Sequence, residues 1–215
     1  MCKGTRYPGK VLKRVAVAGL AALFWACRGA EGEPSTEAID PYSAPTQEPA
    51  TPVDVEAAHY WAFGDITFEA KASYRIAARV LSSERYYMGW TGEVVPIDLA
   101  LGWGELSDPK VDELISWYQG GRWYFWRWSE RSLLDNRAVA ASSANVHVVP
   151  ATPNLARALF ALDEDDIVQL RGFLVHINGP DGARWRSSLA RDDTGGGSCE
   201  LLYVQELIAD EVVYR

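Results

Sequence analysis

The sequence predicts an α+β fold: a small curved β-sheet or partly open barrel, OB-like or SH3-like, with packed helices. Three observations predict it. Short runs of alternating apolar and polar residues recur between residues 66 and 208, the period of half-buried strands. Within Ile167–Ile177, Val168 and Leu170 share one parity and Phe173, Val175 and Ile177 the other, with Gly172 at the change, as a bulge or sharp bend would produce. Asn178-Gly179-Pro180-Asp181-Gly182 then forms a turn between strand candidates. This rhythm of strand, bend and turn suits a small β-barrel.

The elements follow in order. Residues 54–63 are weakly helical or irregular. Ile66 and Phe68 alternate with Thr67 and Glu69 as in a strand, and the alanine-rich stretch 70–82 favours a helix. Residues 94–99 are extended, and Gly102, Gly104 and Pro109 mark loops. Asp108 caps a short helix over 109–118, with Pro109 at its first position. Arg122–Trp128 is a strand with Tyr124, Trp126 and Trp128 on one face and Trp123, Phe125 and Arg127 on the other. Residues 145–149 form a strand ended by Pro150. Residues 153–162 form a helix with Leu155, Leu159 and Leu162 on one stripe. Residues 167–177, 183–189 and 200–208 complete the strands.

Composition sets the organisation. The chain has 215 residues, a net charge of −8 and 48% hydrophobic residues, enough for one compact domain with accessory segments. Three cysteines are too few for a disulfide scaffold. Residues 1–27 read as a signal or lipoprotein-like leader: Lys3, Arg6, Lys10, Lys13 and Arg14 precede the apolar run Val15–Cys27, which is short for a membrane span. Cys27 at the end of that run is a candidate for lipidation, and a retained anchor is the alternative. Residues 28–53 read as a Pro/Glu-rich tether, and 54–215 as a single globular domain. These segments predict a cell-envelope location, periplasmic or exported, with the membrane as a partner through the N-terminal segment or a lipid. Since the first 27 residues carry +5, the remaining 188 carry −13, which makes nucleic acid an unlikely partner.

Several blocks carry a resemblance. They are Pro96-Ile97-Asp98-Leu99-Ala100-Leu101-Gly102-Trp103-Gly104, Arg122-Trp123-Tyr124-Phe125, Ser143-Ala144-Asn145-Val146-His147 with Pro150-Ala151, Gly172-Phe173-Leu174-Val175, and Trp185 to Gly195 through Cys199-Glu200. Together they resemble an uncharacterised family of small bacterial exported or membrane-associated proteins. The resemblance covers most of residues 66–208. It implies one integrated domain and supplies no reaction.

Two kinds of chemistry are conceivable. Cys199 is the one cysteine of the expected domain. With His147 as base, and Asp193 or Asn145 to orient the imidazole, it would form a nucleophilic site, with Gly195-Gly196-Gly197 offering backbone N–H groups to an oxyanion. The bland alternative has Cys199 filling the core and His147 as a structural histidine. Arg122, Arg184, Trp185, Arg186 and Arg191 could instead line a groove for an anionic or carbohydrate-like ligand, or cover strand faces by their stems. No G-x-S-x-G elbow surrounds Ser187, Ser188 or Ser198. His59, His147 and His176 are isolated, so neither a metal nor a cofactor is expected. Asp163–Asp166 reads as a helix-to-strand loop rather than a calcium loop. The leading expectation is a membrane-tethered ligand- or protein-binding or structural module. The alternative is a cysteine-dependent hydrolase or transferase using Cys199 and His147.

Overall fold

The strand β4 (Ile66–Arg85) is the spine of the protein in a computed structural model, which describes residues 29–49, 62–128, 134–190 and 198–215. Its 20 residues replace the helix expected over 70–82. Alanine favours helix in isolation. Here β4 is hydrogen-bonded on both sides, to β5 (Ile97–Gly102) and to β9 (Ile167–Asn178), and this pairing overrides the propensity.

The fold is mixed α+β with one large sheet. Among the described residues ten strands join in it, and a hairpin forms a separate two-stranded sheet. Besides β4, β5 and β9 the large sheet contains β1 (Glu33–Pro34), β2 (Thr46–Pro49), β3 (Ala62–Phe63), β8 (Ser143–Pro150), β10 (Arg184–Arg186), β11 (Glu200–Ala209) and β12 (Val212–Tyr214). Its path runs β1-β12-β11-β8-β5-β4-β9-β10, with β2 and β3 alongside β4. The expected β-barrel is therefore corrected: the path ends at β1 and β10, which are not joined to each other. β11 pairs in parallel with β8 and antiparallel with β9, so the sheet is strongly curled. The expected membrane character is corrected too. Among the described residues no helix is long and apolar enough to cross a membrane. The apolar run 15–27, Cys27 included, lies outside the described residues.

The curl comes from bulges rather than from Gly172. Ala70 and Ala72 pair with the adjacent Val175 and Leu174, leaving Lys71 as an extra residue in β4. The buried face of β4 switches there. Ile66 and Phe68 enter one apolar cluster with Val175, Ile177, Leu201 and Tyr203, whereas Tyr74, Ile76 and Val80 enter a larger one with Leu99, Leu170 and Leu202. Gln205 is the corresponding extra residue in β11. The parity change read in β9 is one of apolar burial: its first half buries Val168 and Leu170 on one face and the polar Gln169 on the other, and its second half buries Leu174 on one face and Val175 and Ile177 on the other. Gly172 lies between Tyr74 and Val204, and a Cβ there would stand 1.8 Å from the Tyr203 carbonyl oxygen. Its role is close backbone approach.

Among the described residues four short α-helices fill the connections: α1 (Gly89–Val94), α2 (Pro109–Asp112), α3 (Asn136–Ala141) and α4 (Pro153–Phe160). Asp108 caps α2 as expected, but that helix stops at Asp112 because the chain enters strand β6 (Ile115–Gly120). In α4, Thr152 accepts the Leu155 N–H, Pro153 takes the first turn, and Leu155, Ala158 and Leu159 are buried on the larger cluster. Burying each leucine contributes roughly 1.5–3 kcal/mol.

β6 and β7 (Trp123–Trp128) form the hairpin. Gly121 and Arg122 make its two-residue turn, with φ of 61° and 72°, as hairpin turns of this length require. Trp117, Trp126 and Trp128 pack inward on Leu106, Ile115 and Val139. Their indole N–H groups donate to Asp112 or Asn136.

Residues 29–49, expected to be an extended tether, contain two short strands and a turn at 41–43 and run along the domain. β1 pairs with β12 and β2 with β4. Glu37 accepts from Gln169, Arg75 and Arg171. Asn154 exchanges hydrogen bonds with the Glu31 backbone, and the Ser107 hydroxyl donates to the Pro41 carbonyl.

Candidate functional site

The β5–β8 register sets Asp98 opposite His147. Both side chains are buried, Asp98 completely. His147 Nδ1 lies 2.9 Å from Asp98 Oδ1. The contact is close but not aligned as a hydrogen bond, so Nδ1 and Asp98 Oδ2 are buried without hydrogen-bond partners. Unsatisfied buried groups of this kind are uncommon and costly.

Arg122 reaches the same carboxylate from the hairpin turn. Its Nη1 donates to Asp98 Oδ1 at 2.7 Å, and its Nη2 donates to the carbonyls of Thr91 and Val95. The guanidinium carbon stands 3.5 Å from the Tyr86 ring centroid and 5.2 Å from that of Trp185. The Arg122 N–H donates to the Tyr86 hydroxyl, and Asn145 Nδ2 donates to the Arg122 carbonyl. Burial raises the Tyr86 phenol above its ordinary range, so this hydroxyl stays neutral at physiological pH. Arg122 therefore pins the tip of the hairpin onto the sheet.

Above this layer lies a cavity of about 520 Å³, within the size range of small-molecule sites. Trp185 forms one wall, its ring 4.9 Å from His147 and edge-on to Trp90. Cys199 is half-buried on the cavity wall with His147. Cys199 precedes β11, whose Leu201 pairs with His147, so the two belong to neighbouring positions of parallel strands. Thr91, Trp123, Arg184 and Arg186 complete the lining.

The lining contains no carboxylate among the described residues. Asp98 beneath it is offset by Arg122. Arg184 is exposed and makes no ion pair among the described residues. Arg186 donates to Asn178, and its Nη1 is buried without a hydrogen-bond partner. The cavity is therefore positive and walled by aromatic rings, although the protein as a whole is acidic.

Of the residues singled out in the sequence, His147, Cys199, Arg122, Arg184, Trp185 and Arg186 meet at this one cavity. Asp193 and Arg191 lie outside the described residues. Asn145 contacts the hairpin, bonding Gln119 and Arg122, and the acid beside the imidazole is Asp98. Sequence reasoning passed over Asp98, although a single acid in the apolar run Val94–Leu101 was the available signal. Ser187 is occupied structurally: its hydroxyl accepts the Leu201 N–H and donates to the Ser188 carbonyl. His176 packs opposite Arg186. Burial, then the charges of Arg186 and Lys71, lower its pKa. Among the described residues no group of His, Cys, Asp and Glu is placed to hold a metal. The stretch Asp163–Asp166 lies in the α4–β9 connection, where Asp165 pairs with the buried Arg79.

No family model, curated protein or solved structure matches this chain.

Proposed function

We propose that the protein is an envelope-located ligand-binding module, and that the cavity between Trp185, His147 and the Arg122 hairpin takes an anionic ligand with a flat or ring-shaped body. The observation that carries this reading is the lining itself. Trp185 and Trp123 offer ring faces, Arg184 and Arg186 offer cationic forks, and no described carboxylate opposes an anion there. Guanidinium forks match carboxylates and phosphates with two parallel hydrogen bonds. An OB-like strand arrangement fits the same reading. β4, β5, β8, β9 and β11 follow one another with α4 between the third and fourth and a parallel pairing of the third with the fifth. Folds of that kind bind ligands on the face of their second and third strands, between flanking loops, and Asp98 and His147 stand on β5 and β8 here. The envelope location rests on the leader and on the resemblance described above.

A thermal-shift series tests the binding reading. Galacturonate and glucose 6-phosphate should raise the Tm and neutral glucose should not. At a concentration one hundred times Kd the linkage amounts to about 2.7 kcal/mol. Trp185→Ala and Arg184→Ala should abolish the shift. Equal shifts with all three sugars, or shifts unchanged in both variants, would overturn the reading.

A second reading has one specific observation behind it. Asp98 against Nδ1 would orient the His147 ring and leave Nε2 to act as a base toward Cys199, as a cysteine-dependent hydrolase or transferase needs.

A further inference from the structure

The outer face of the hairpin is a row of exposed aromatic rings that begins in the cavity. Trp123, which lines the cavity, is 44% exposed. Phe125, two residues along the same strand face, is 41% exposed, and its cross-strand neighbour Tyr118 is 49% exposed. Residues two apart in a strand stand roughly 7 Å from each other on one face. Tyr118 and Phe125 lie nearly parallel, with centroids 5.0 Å apart and planes 16° apart. Gly120 faces Trp123 across the hairpin, so no side chain covers that ring from the partner strand. The Trp123 side chain makes no hydrogen bond or ring contact among the described residues, whereas the inward tryptophans of the same hairpin have all found partners. Arg127 continues the row as an exposed cation.

Solvating this many aromatic faces in sequence is unfavourable for a free surface. The hairpin's inner face already anchors it, so the outer rings are not needed for folding. Trp123, Phe125 and Arg127 follow one another on one strand face, leading away from the cationic cavity.

We propose that this track extends the cavity into a binding cleft for a chain of uronic-acid sugars, with one residue held in the cavity and the following ones stacked on Trp123 and on the Phe125–Tyr118 pair. A pyranose ring presents an apolar face to an aromatic plane, and its carboxylate suits the guanidinium forks of Arg184, Arg186 and Arg127. The inference rests on the cavity reading above and adds the ligand class and its polymeric nature. Single-stranded nucleic acid shares the pattern of rings and cations and is a polyanion as well, so it enters the test as a competing outcome.

Calorimetric titration with galacturonic acid and with oligogalacturonides of two to six units tests it. Affinity should climb with length by about three- to tenfold for each ring engaged, then level off. The exposed double variant Tyr118→Ala/Phe125→Ala should stay folded with a Tm lowered by only a few degrees, keep its affinity for the monomer and lose the gain with length. Length-independent binding by the wild type would overturn the track while leaving the cavity reading intact. Loss of monomer binding in no cavity variant, including Trp185→Ala, would overturn the cavity reading as well. Equal binding of neutral cello-oligosaccharides, tighter binding of oligothymidylate, or self-association of the protein through this face would each overturn the assignment to uronic-acid chains.

Discussion

Arg122 and Asp98 form a buried ion pair across two separate sheets, with Nη1 and Oδ1 2.7 Å apart. Asp98 is wholly buried, and the Arg122 side chain is 18% exposed. The pair ties the hairpin turn to the floor of the cavity, so the wall and the floor depend on each other.

Removing the acid should therefore cost more than removing a surface charge. Asp98→Ala leaves a desolvated guanidinium without a counter-ion, a change that typically destabilises by about 3–5 kcal/mol. Asp98→Asn keeps the shape and one acceptor and should cost less, about 1–3 kcal/mol. Urea midpoints at constant m would measure both. A loss below about 1 kcal/mol for Asp98→Ala would mean that the hairpin is held by its tryptophans alone.

Gly172→Ala tests the close backbone approach of β9 to β11. The new Cβ would stand 1.8 Å from the Tyr203 carbonyl oxygen, and backbone rather than a flexible side-chain tip would have to move. Overpacking in cores costs about 1–3 kcal/mol and sometimes more, and this position should lie at or above the upper figure. The measurement is again a urea midpoint, with hydrogen exchange of β11 amides showing whether the β9–β11 pairing is what loosens.

The segment 29–49 should loosen in acid. The hydrogen bond from Gln169 lowers the Glu37 pKa; partial desolvation opposes it, and Arg171 and Arg75 add to it. A carboxyl whose pKa is lower folded than unfolded contributes stability above its unfolded value of about 4.5, and loses it as pH falls through the folded value. Hydrogen-exchange protection in β2, corrected for the intrinsic rate at each pH, should thus fall below about pH 4.5 in the wild type. In Glu37→Gln protection should already be lower at pH 7 and change little with pH across that range.

Cys199 separates the two functional readings. For a binding module, Cys199→Ser should leave galacturonate affinity within about twofold. Iodoacetamide labelling of Cys199 should then be unaffected by His147→Gln. A fall of more than about tenfold in labelling rate with His147→Gln would identify a thiolate activated by the imidazole and favour the hydrolase or transferase reading.

How far the sequence reveals this site depends on what holds each part in place. His147, Cys199 and the arginine–tryptophan group were visible because those residue types stand out in apolar or glycine-rich surroundings. Asp98 was not, because its partners are set by the β5–β8 register and by a hairpin from elsewhere in the chain. Residues 70–82 read as helical because alanine propensity is local, whereas the pairing of β4 with β5 and β9 is not. The proline-rich segment 29–49 was read as an extended tether, but its attachment through Glu37 depends on arginines 38 and 134 residues away. The alternation of β7 was legible in full: its exposed and half-buried faces are the two read from the sequence.

Calorimetric titration of galacturonate into the wild type, Arg184→Ala and Trp185→Ala tests the central claim most directly. The account predicts saturable binding of one equivalent to the wild type, and at least about a tenfold loss in each variant, the size of one charge-assisted hydrogen bond or one aromatic contact. Binding that is equally strong in all three proteins, or absent from the wild type at millimolar concentration, would contradict it.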